Sequence, residues 1–321
     1  MTTKKKSHWG GGSVSNLQAT LYTPSLSEAI SDFQNCIYSN LATRPDIKPD
    51  GELHRFRLAN ERKGKLSGAY IFYTSPVYSG WWQSWVTGES GTWTFKSQKE
   101  LSYAEKKALK EQIERNKAKR KAEQAKQWAD AEKRALSIWS RSRPASTDHP
   151  YAVTKQMGVA GMRQLRDALV IPLYQNGKIT SLQFINGKGG KRLLTGGRVK
   201  GSCFIFGDIR KPFEVAYIAE GISTGYSVHV LADYAPVLCA ISAGNLEPVA
   251  VAVRRKFPGL KKLVIAADND IKTDGSNVGV EYATRAAKAC QGEIAIPSLP
   301  TGEKCDWCDL RLLSMGVKHE R

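Results

Sequence analysis

The chain has 321 residues, 41% of them hydrophobic, enough for about two domains with a sizeable core. Its formal net charge is +18, from 48 Lys and Arg against 30 Asp and Glu, which points to a polyanionic partner such as nucleic acid, or to an anionic membrane surface. No apolar run approaches the ~20 residues of a membrane span, and no apolar core comes after Met1-Thr2-Thr3-Lys4-Lys5-Lys6, so neither a spanning helix nor a secretory signal is expected. Gly10-Gly11-Gly12-Ser13 reads as a flexible leader.

The six cysteines are scattered, which is no disulfide framework and fits a reducing cytoplasm. Cys305-Asp306-Trp307-Cys308 is a lone C-x-x-C without the second pair that a zinc ribbon needs, so no zinc is expected.

Residues 1–97 read as a small α+β module. Leu17 to Leu41 carries apolar residues at helical spacing, with Ser25 and Ser27 available to cap. Pro45, Pro49 and Asp50-Gly51 break the pattern. Ala69-Tyr70-Ile71-Phe72-Tyr73 reads as a strand, and Trp81-Trp82-Gln83-Ser84-Trp85 and Gly91-Thr92-Trp93-Thr94-Phe95 come after it. Aromatics beside Arg55, Arg57 and Lys65 could stack single-stranded bases, although most of them serve equally as the core of a small sheet. Successive strand positions face opposite ways, so part of the Trp81, Trp82 and Trp85 set should meet solvent.

Residues 98–143 lack Gly and Pro and are rich in Ala, Lys, Glu, Arg and Gln, which predicts a basic helical linker. Ser102 and Glu105 have the spacing of a capping box. The run Asn116 to Lys121 suits either a solvated rod or a phosphate-tracking one. Trp128, Ala135, Ile138 and Trp139 suggest that the far end of the helix docks on the next domain.

Residues 144–209 read as an antiparallel sheet with basic turns. Ala168-Leu169-Val170-Ile171-Pro172-Leu173-Tyr174 and Thr180-Ser181-Leu182-Gln183-Phe184-Ile185 flank Asn176-Gly177, a strong hairpin signal. Lys191-Arg192-Leu193-Leu194 and Ser202-Cys203-Phe204-Ile205-Phe206 continue the sheet. Residues 210–321 then alternate strand and helix, predicting an α/β domain with about four parallel strands and an acidic tail.

Within that domain, Val215-Ala216-Tyr217-Ile218-Ala219 ends on Glu220-Gly221, and Leu263-Val264-Ile265-Ala266-Ala267 ends on Asp268-Asn269-Asp270. Buried parallel strands read as such apolar runs, and ligands of open α/β sheets gather at the carboxyl ends of the strands. Three carboxylates at one edge repel, and a hard divalent cation, Mg²⁺ or Mn²⁺, resolves the conflict.

Glu-Gly after one strand and Asp-x-Asp after a later one resembles the Toprim domain of bacterial-type primases, topoisomerases, RecR-like repair proteins and OLD-type nucleases. The preceding residues, from His149-Pro150-Tyr151 through Ile171-Pro172-Leu173-Tyr174 to Gly190-Lys191-Arg192 and Lys200-Gly201, resemble the catalytic core of primases of phages, plasmids and their satellites. The resemblance covers roughly residues 144–316. It implies a DNA-directed primase that makes short RNA primers on single-stranded DNA for a mobile element, using nucleoside triphosphates.

It also implies catalytic and metal roles for Glu220, Asp268 and Asp270, with Asp306 and Asp309 as outer ligands, and template or nucleotide contacts by Arg166, Lys191, Arg192 and Lys200. Three departures stand out. No four-cysteine module precedes the core, Thr224 stands where the replicative primase has a carboxylate, and the tail acids are spaced by two residues rather than one. No G-x-x-x-x-G-K-[ST] occurs, so any helicase partner is a separate protein. A Toprim nuclease or nicking enzyme, and a non-catalytic nucleic-acid-binding protein, remain the alternatives.

Overall fold

The computed structural model describes residues 25–95, 101–269, 277–298 and 306–316. They fall into two compact units, Met1–Lys119 and Arg120–Arg321.

In the first unit, α1 (Leu26–Leu41) opens on a capping box. Ser25 accepts from the Glu28 N–H, and Glu28 accepts from the Ser25 N–H. Its buried stripe, Ala29, Phe33 and Ile37, repeats every four residues and packs on an antiparallel sheet. That sheet runs β1 (His54–Phe56), β2 (Gly68–Tyr73), β3 (Ser79–Ser84) and β4 (Ser90–Thr94) in sequence order. The expected helical positions before Ser25 lie outside the described residues.

Tyr70, Phe72, Trp82 and Trp93 form the core, and the Trp93 indole donates to Asp32 at 2.9 Å. A side chain at Gly80 would strike the Phe33 ring, which is why a glycine interrupts β3. The tryptophans divide as the strand alternation requires. Trp82 is buried, Trp81 half-buried, and Trp85 exposed with the Arg55 guanidinium 4.0 Å above its ring.

Helix α2 (Tyr103–Arg141) starts at the Ser102–Glu105 capping box and runs 39 residues. In the second unit its last turns bury Ala135 against one face of an antiparallel sheet, with Ile138 and Trp139 packed alongside. That sheet is ordered β5 (Arg143–Pro144), β6 (Arg163–Leu165), β7 (Ala168–Gln175), β8 (Lys178–Asn186) and β9 (Lys191–Leu193). The β7–β8 turn places Asn176 and Gly177 at φ 50° and 79°, the paired positive values of a type I′ hairpin.

Strand alternation sends Val170, Leu182 and Phe184 toward α2, and Leu169, Ile171, Leu173 and Ile185 toward the α/β domain. Burial on both faces explains the unbroken apolar run in β7. A short helix, α3 (Pro150–Thr154), covers the second of these faces through Tyr151 and Ala152.

The last sheet has the order β10 (Phe204–Phe206), β12 (Val237–Cys239), β11 (Val215–Ala219), β13 (Lys262–Ala266), β14 (Glu293–Ala295). Four strands are parallel, and β10 pairs antiparallel with β12. Here the expectation needs correction, because Phe204–Phe206 joins this sheet and not the basic one. Cys203 still bridges to Tyr174 of β7 through two backbone bonds, so the chain crosses between sheets within one residue. The open edge of β12 supplies the unpaired N–H and C=O groups that the crossing strand satisfies.

Helices α5 (Leu246–Lys256) and α6 (Val278–Cys290) cover one face of this sheet. Helix α4 (Ile222–Leu231) and the antiparallel sheet cover the other. Helix α7 (Trp307–Ser314) packs on α4. No helix among the described residues is long and apolar enough to cross a membrane.

Candidate active site

Strands β11 and β13 are adjacent and parallel, with Ala219 opposite Ala266. Glu220 therefore leaves the sheet one residue past its strand and Asp268 two residues past its neighbour, on the same carboxyl edge. Both are half-buried. Asp270 and Cys305 lie outside the described residues, and among the described residues no three His, Cys, Asp or Glu side chains converge as a metal-holding group.

The backbone around these two acids is tied down from several sides. The Ile241 N–H, just past β12, donates to the Glu220 carbonyl at 2.7 Å. Ile241 does so at φ 73°, a left-handed conformation that a β-branched residue rarely takes and that marks stored strain at the rim. Helix α4 begins at once after Gly221. Its Thr224 hydroxyl donates to Asp268 Oδ1 at 3.1 Å. The residue that stands in place of a carboxylate thus orients the neighbouring one.

On the other side, a Cβ at Gly279 would lie 2.4 Å from the Asp268 carbonyl oxygen, so only glycine lets α6 start this close. Asn277 caps α6 by accepting from the Val280 N–H and donates to Asn269 Oδ1 at 3.0 Å. Asn269 in turn donates to the Pro297 carbonyl at 3.4 Å.

The acidic tail is fastened to the same strand end, where the Trp307 indole donates to the Ala267 carbonyl at 2.9 Å. Asp306 and Asp309 form a reciprocal capping box for α7, with bonds of 2.7 and 3.1 Å. Each spends one carboxylate oxygen on the helix terminus. Arg311 anchors the other face of α7. It is 2% exposed, donates to the Ser227 hydroxyl at 3.2 Å and to the Lys155 carbonyl at 2.8 Å, and lies over the Tyr226 ring. Cys308 packs beside it, its sulfur 3.7 Å from the guanidinium.

The four basic candidates do not form one wall. Lys200 belongs to a loop pinned beside the acidic rim by Asn245, a buried side chain that no pattern in the sequence singles out. Asn245 accepts from the Gly201 N–H at 2.7 Å and donates to the carbonyls of Ser202 and Ala240. Lys191 pairs with Ile185, whose side chain faces the α/β domain. Arg192 pairs with Phe184 on the opposite face, its guanidinium 4.7 Å over that ring. Arg166 sits in the β6–β7 turn beside Arg192. Behind the rim, burial pushes the Cys203 thiol up to about 12 and raises Cys239 as well, which keeps both as inert packing groups.

The family model for the Toprim domain matches residues 215–314. These residues are a Toprim domain. Over 93% of its length the chain is 30% identical to DNA primase TraC of Escherichia coli, and over 79% it is 30% identical to a second E. coli DNA primase TraC. It spans only 29% and 18% of those two relatives. The solved primase fragment of the bacteriophage T7 primase-helicase protein aligns with 50% of this chain and 69% of that one at 17% identity. Its TM-score of 0.39 is too loose to carry weight. The Toprim edge is the one formed by β11 and β13. Asn245, Gly279, Trp307 and Arg311 are supporting residues that only the structure makes visible, and the bond to Asp268 gives Thr224, which the sequence marks, its supporting role.

Proposed function

We propose that the chain is a DNA-directed primase that makes short RNA primers on single-stranded DNA for the replication of a mobile element. What carries this reading is the Toprim carboxylate edge within a chain that resembles DNA primase TraC along nearly all its length. Primer synthesis is an in-line attack of a 3′-hydroxyl on an α-phosphate with loss of pyrophosphate, so it needs a carboxylate cluster and cations for the triphosphate.

Glu220, Asp268 and Asp270 offer only hard oxygen donors, which fits Mg²⁺ or Mn²⁺. Asp306 and Asp309, beside the same strand end, are the outer candidates. A bound divalent ion there would polarise the phosphate and stabilise the leaving group. Thr224 holds Asp268 in orientation, and Asn245 holds the Lys200 loop against the end of β12. Lys200 and Lys191, on the Toprim side, are the candidates for the triphosphate and the nascent backbone.

The basic, aromatic module before the long helix is proposed to steady template. Its exposed Arg55–Trp85 stack is a platform of the kind that single strands use. No P-loop occurs in these 321 residues, so unwinding comes from outside them.

The test is direct. Single-stranded DNA, Mg²⁺ or Mn²⁺ and labelled ribonucleotides should yield short oligonucleotides with the wild type and none with Asp268→Asn. Absence of product across templates and metals would sink the proposal. Metal-dependent nicking of supercoiled plasmid in its place would point to the nuclease alternative.

A further inference from the structure

The four parallel strands of the Toprim sheet begin at the end remote from the carboxylates, about 15 Å away at ~3.3 Å per residue. Cations gather at this amino end. Helix α5 finishes on Arg254-Arg255-Lys256, the β10–β11 loop carries Arg210 and Lys211, and Lys261 and Lys262 lead into β13. The acids beside them are already engaged. Asp208 accepts from the Arg210 Nε–H at 2.8 Å, Glu214 lies 2.6 Å from Lys261, and Glu293 lies 3.0 Å from Lys262. Arg254 turns inward and donates to the carbonyls of Cys290 and Leu260. Lys211, Arg255 and Lys256 are left exposed, and among the described residues none of them is within ion-pair distance of a carboxylate. The carboxyl end of α5 favours cations in its last turn, but Lys211 belongs to no helix.

Rings break this surface at two places. Phe257, just past α5, stands edge-on to Phe213 with 5.0 Å between centroids, and the Lys256 ammonium lies 5.4 Å over its ring. Both phenylalanines are half-buried. On the other face of the sheet, the turn from α4 to β12 holds two successive non-glycine residues at left-handed φ, Asp233 at 51° and Tyr234 at 61°. Aspartate tolerates that conformation, whereas a tyrosine rarely adopts it. The strained turn carries Tyr234 outward, 66% exposed. Its ring meets His229 edge-on at 5.3 Å, and His229 stacks on Phe206 while its Nδ1–H donates to the Ala235 carbonyl. Residues 207–213 join the two places, since Gly207 abuts Pro236 and His229 and the loop ends on Phe213.

An outward tyrosine, half-buried phenylalanines and a rim of unbalanced cations make the composition of a protein interface. The charge selects the partner. A second copy of the chain would bring +18 against +18. A nucleic-acid strand carries a phosphate at every nucleotide and would meet Asp208, Glu214 and Glu293 among the cations. Phe213 and Phe257 are also packed on each other and present no open face for a base. An acidic polypeptide can space its carboxylates to the three free cations and place one large apolar side chain against the rings.

We infer that the amino end of the Toprim sheet docks an acidic segment of another protein, anchored by a large apolar side chain. Docking there asks nothing of the carboxylate edge, so it stands whether or not the chain makes primers. The experiment is fluorescence anisotropy of a labelled oligoglutamate peptide ending in tryptophan, with the same peptide ending in alanine for comparison. The combined variant Lys211→Glu, Arg255→Glu, Lys256→Glu should weaken binding of the first peptide by at least ~10-fold. Lys126→Glu, Lys133→Glu, Lys178→Glu makes the same change in net charge elsewhere on the same compact unit and should stay within ~2-fold of wild type at physiological salt.

Tyr234→Asn is the variant that safeguards folding, because asparagine suits the left-handed backbone while the ring is lost. It should weaken the tryptophan peptide and leave the alanine peptide unchanged. Wild-type affinity in the Lys211, Arg255, Lys256 variant, with an unchanged circular dichroism spectrum, would overturn the inference. So would equal losses in the two charge-reversed variants, an unchanged tryptophan-peptide affinity in Tyr234→Asn, or a wild type that binds neither peptide. A charge reversal at this edge that costs a labelled oligothymidylate more affinity than it costs the peptide would overturn it in favour of a nucleic-acid surface. A wild type that docks the peptide here yet makes no primers would sink the primase reading alone.

Discussion

Gly279→Ala tests whether the Toprim edge depends on the close seat of α6. The new Cβ would stand 2.4 Å from the Asp268 carbonyl oxygen, about 0.6 Å inside the 3.0 Å that real Cβ contacts essentially never cross. It would also lie 3.5 Å from the Asp268 Cβ. The obstacle is backbone, so no rotamer change relieves it. Either α6 or the Asp268 segment must move.

Overpacking of this kind costs ~1–3 kcal/mol, against the ~1 kcal/mol that alanine gains over glycine in a helix. The net loss of stability should stay below ~2 kcal/mol. A displacement approaching 1 Å at a reacting centre costs on the order of 100-fold in rate. We therefore expect primer synthesis to fall by ~10- to 100-fold with a small change in urea midpoint, and the Mg²⁺ dependence to shift to higher concentration. Gly259→Ala is the matched control, since nothing lies within 4 Å of a Cβ there. A Gly279→Ala protein with wild-type turnover and Mg²⁺ dependence would refute the idea that this contact sets the position of Asp268.

Thr224→Val removes the hydroxyl that donates to Asp268 while keeping the shape, and should weaken apparent Mg²⁺ affinity by ~3- to 10-fold in a metal titration of activity, the scale of the ~0.5–1.5 kcal/mol net worth of one ordinary hydrogen bond. Asn245→Asp keeps the acceptor for Gly201 but turns carboxylate oxygen toward the Ser202 and Ala240 carbonyls; it should cost ~2–4 kcal/mol in urea denaturation and raise the KM for nucleotide, because the Lys200 loop loses its anchor. Arg311→Met leaves Ser227 and the Lys155 carbonyl without their donor and should lower stability by ~2–4 kcal/mol, read in the same denaturation series. Cys203 and Cys239 should resist iodoacetamide at pH 8 in the folded protein and react on unfolding, since thiolate is the nucleophile and burial raises both pKa values; mass mapping of modified peptides reads this out.

The parts of the fold that are legible in the sequence are those where one face or one turn dictates the pattern. Ser25, offered with Ser27 as a cap, and Ser102 with Glu105 mark helix starts because orphan N–H groups need those side chains, whereas the Glu28 half of the first capping box emerges only in the structure. Asn176-Gly177 marks a hairpin because both residues tolerate positive φ. The strand Phe204–Phe206 reads as part of the wrong sheet for a physical reason. Its apolar residues suit either sheet, and the choice depends on which edge is open, a property of the assembled domain and not of the segment.

The site is legible at its rim and obscure beneath it. Glu220 and Asp268 stand out because carboxylates after buried strands are unusual neighbours, whereas Arg192 and Lys191 look interchangeable in sequence. Their difference is one residue of strand alternation, set by the pairing of Ile185 with Lys191 and of Phe184 with Arg192. That single register puts one cation on the Toprim side of the sheet and the other on the α2 side. A slip by one residue would exchange them, so the register of β9 decides which phosphates each can reach. The same logic explains why Asn245 and Arg311 leave no mark in the sequence. Each acts through backbone carbonyls brought together from distant segments, and no spacing within the chain encodes such a meeting. The carboxylate edge is thus a local pattern, while its rigidity is a tertiary one, which is why substitutions beneath the rim should damage activity as severely as many at it.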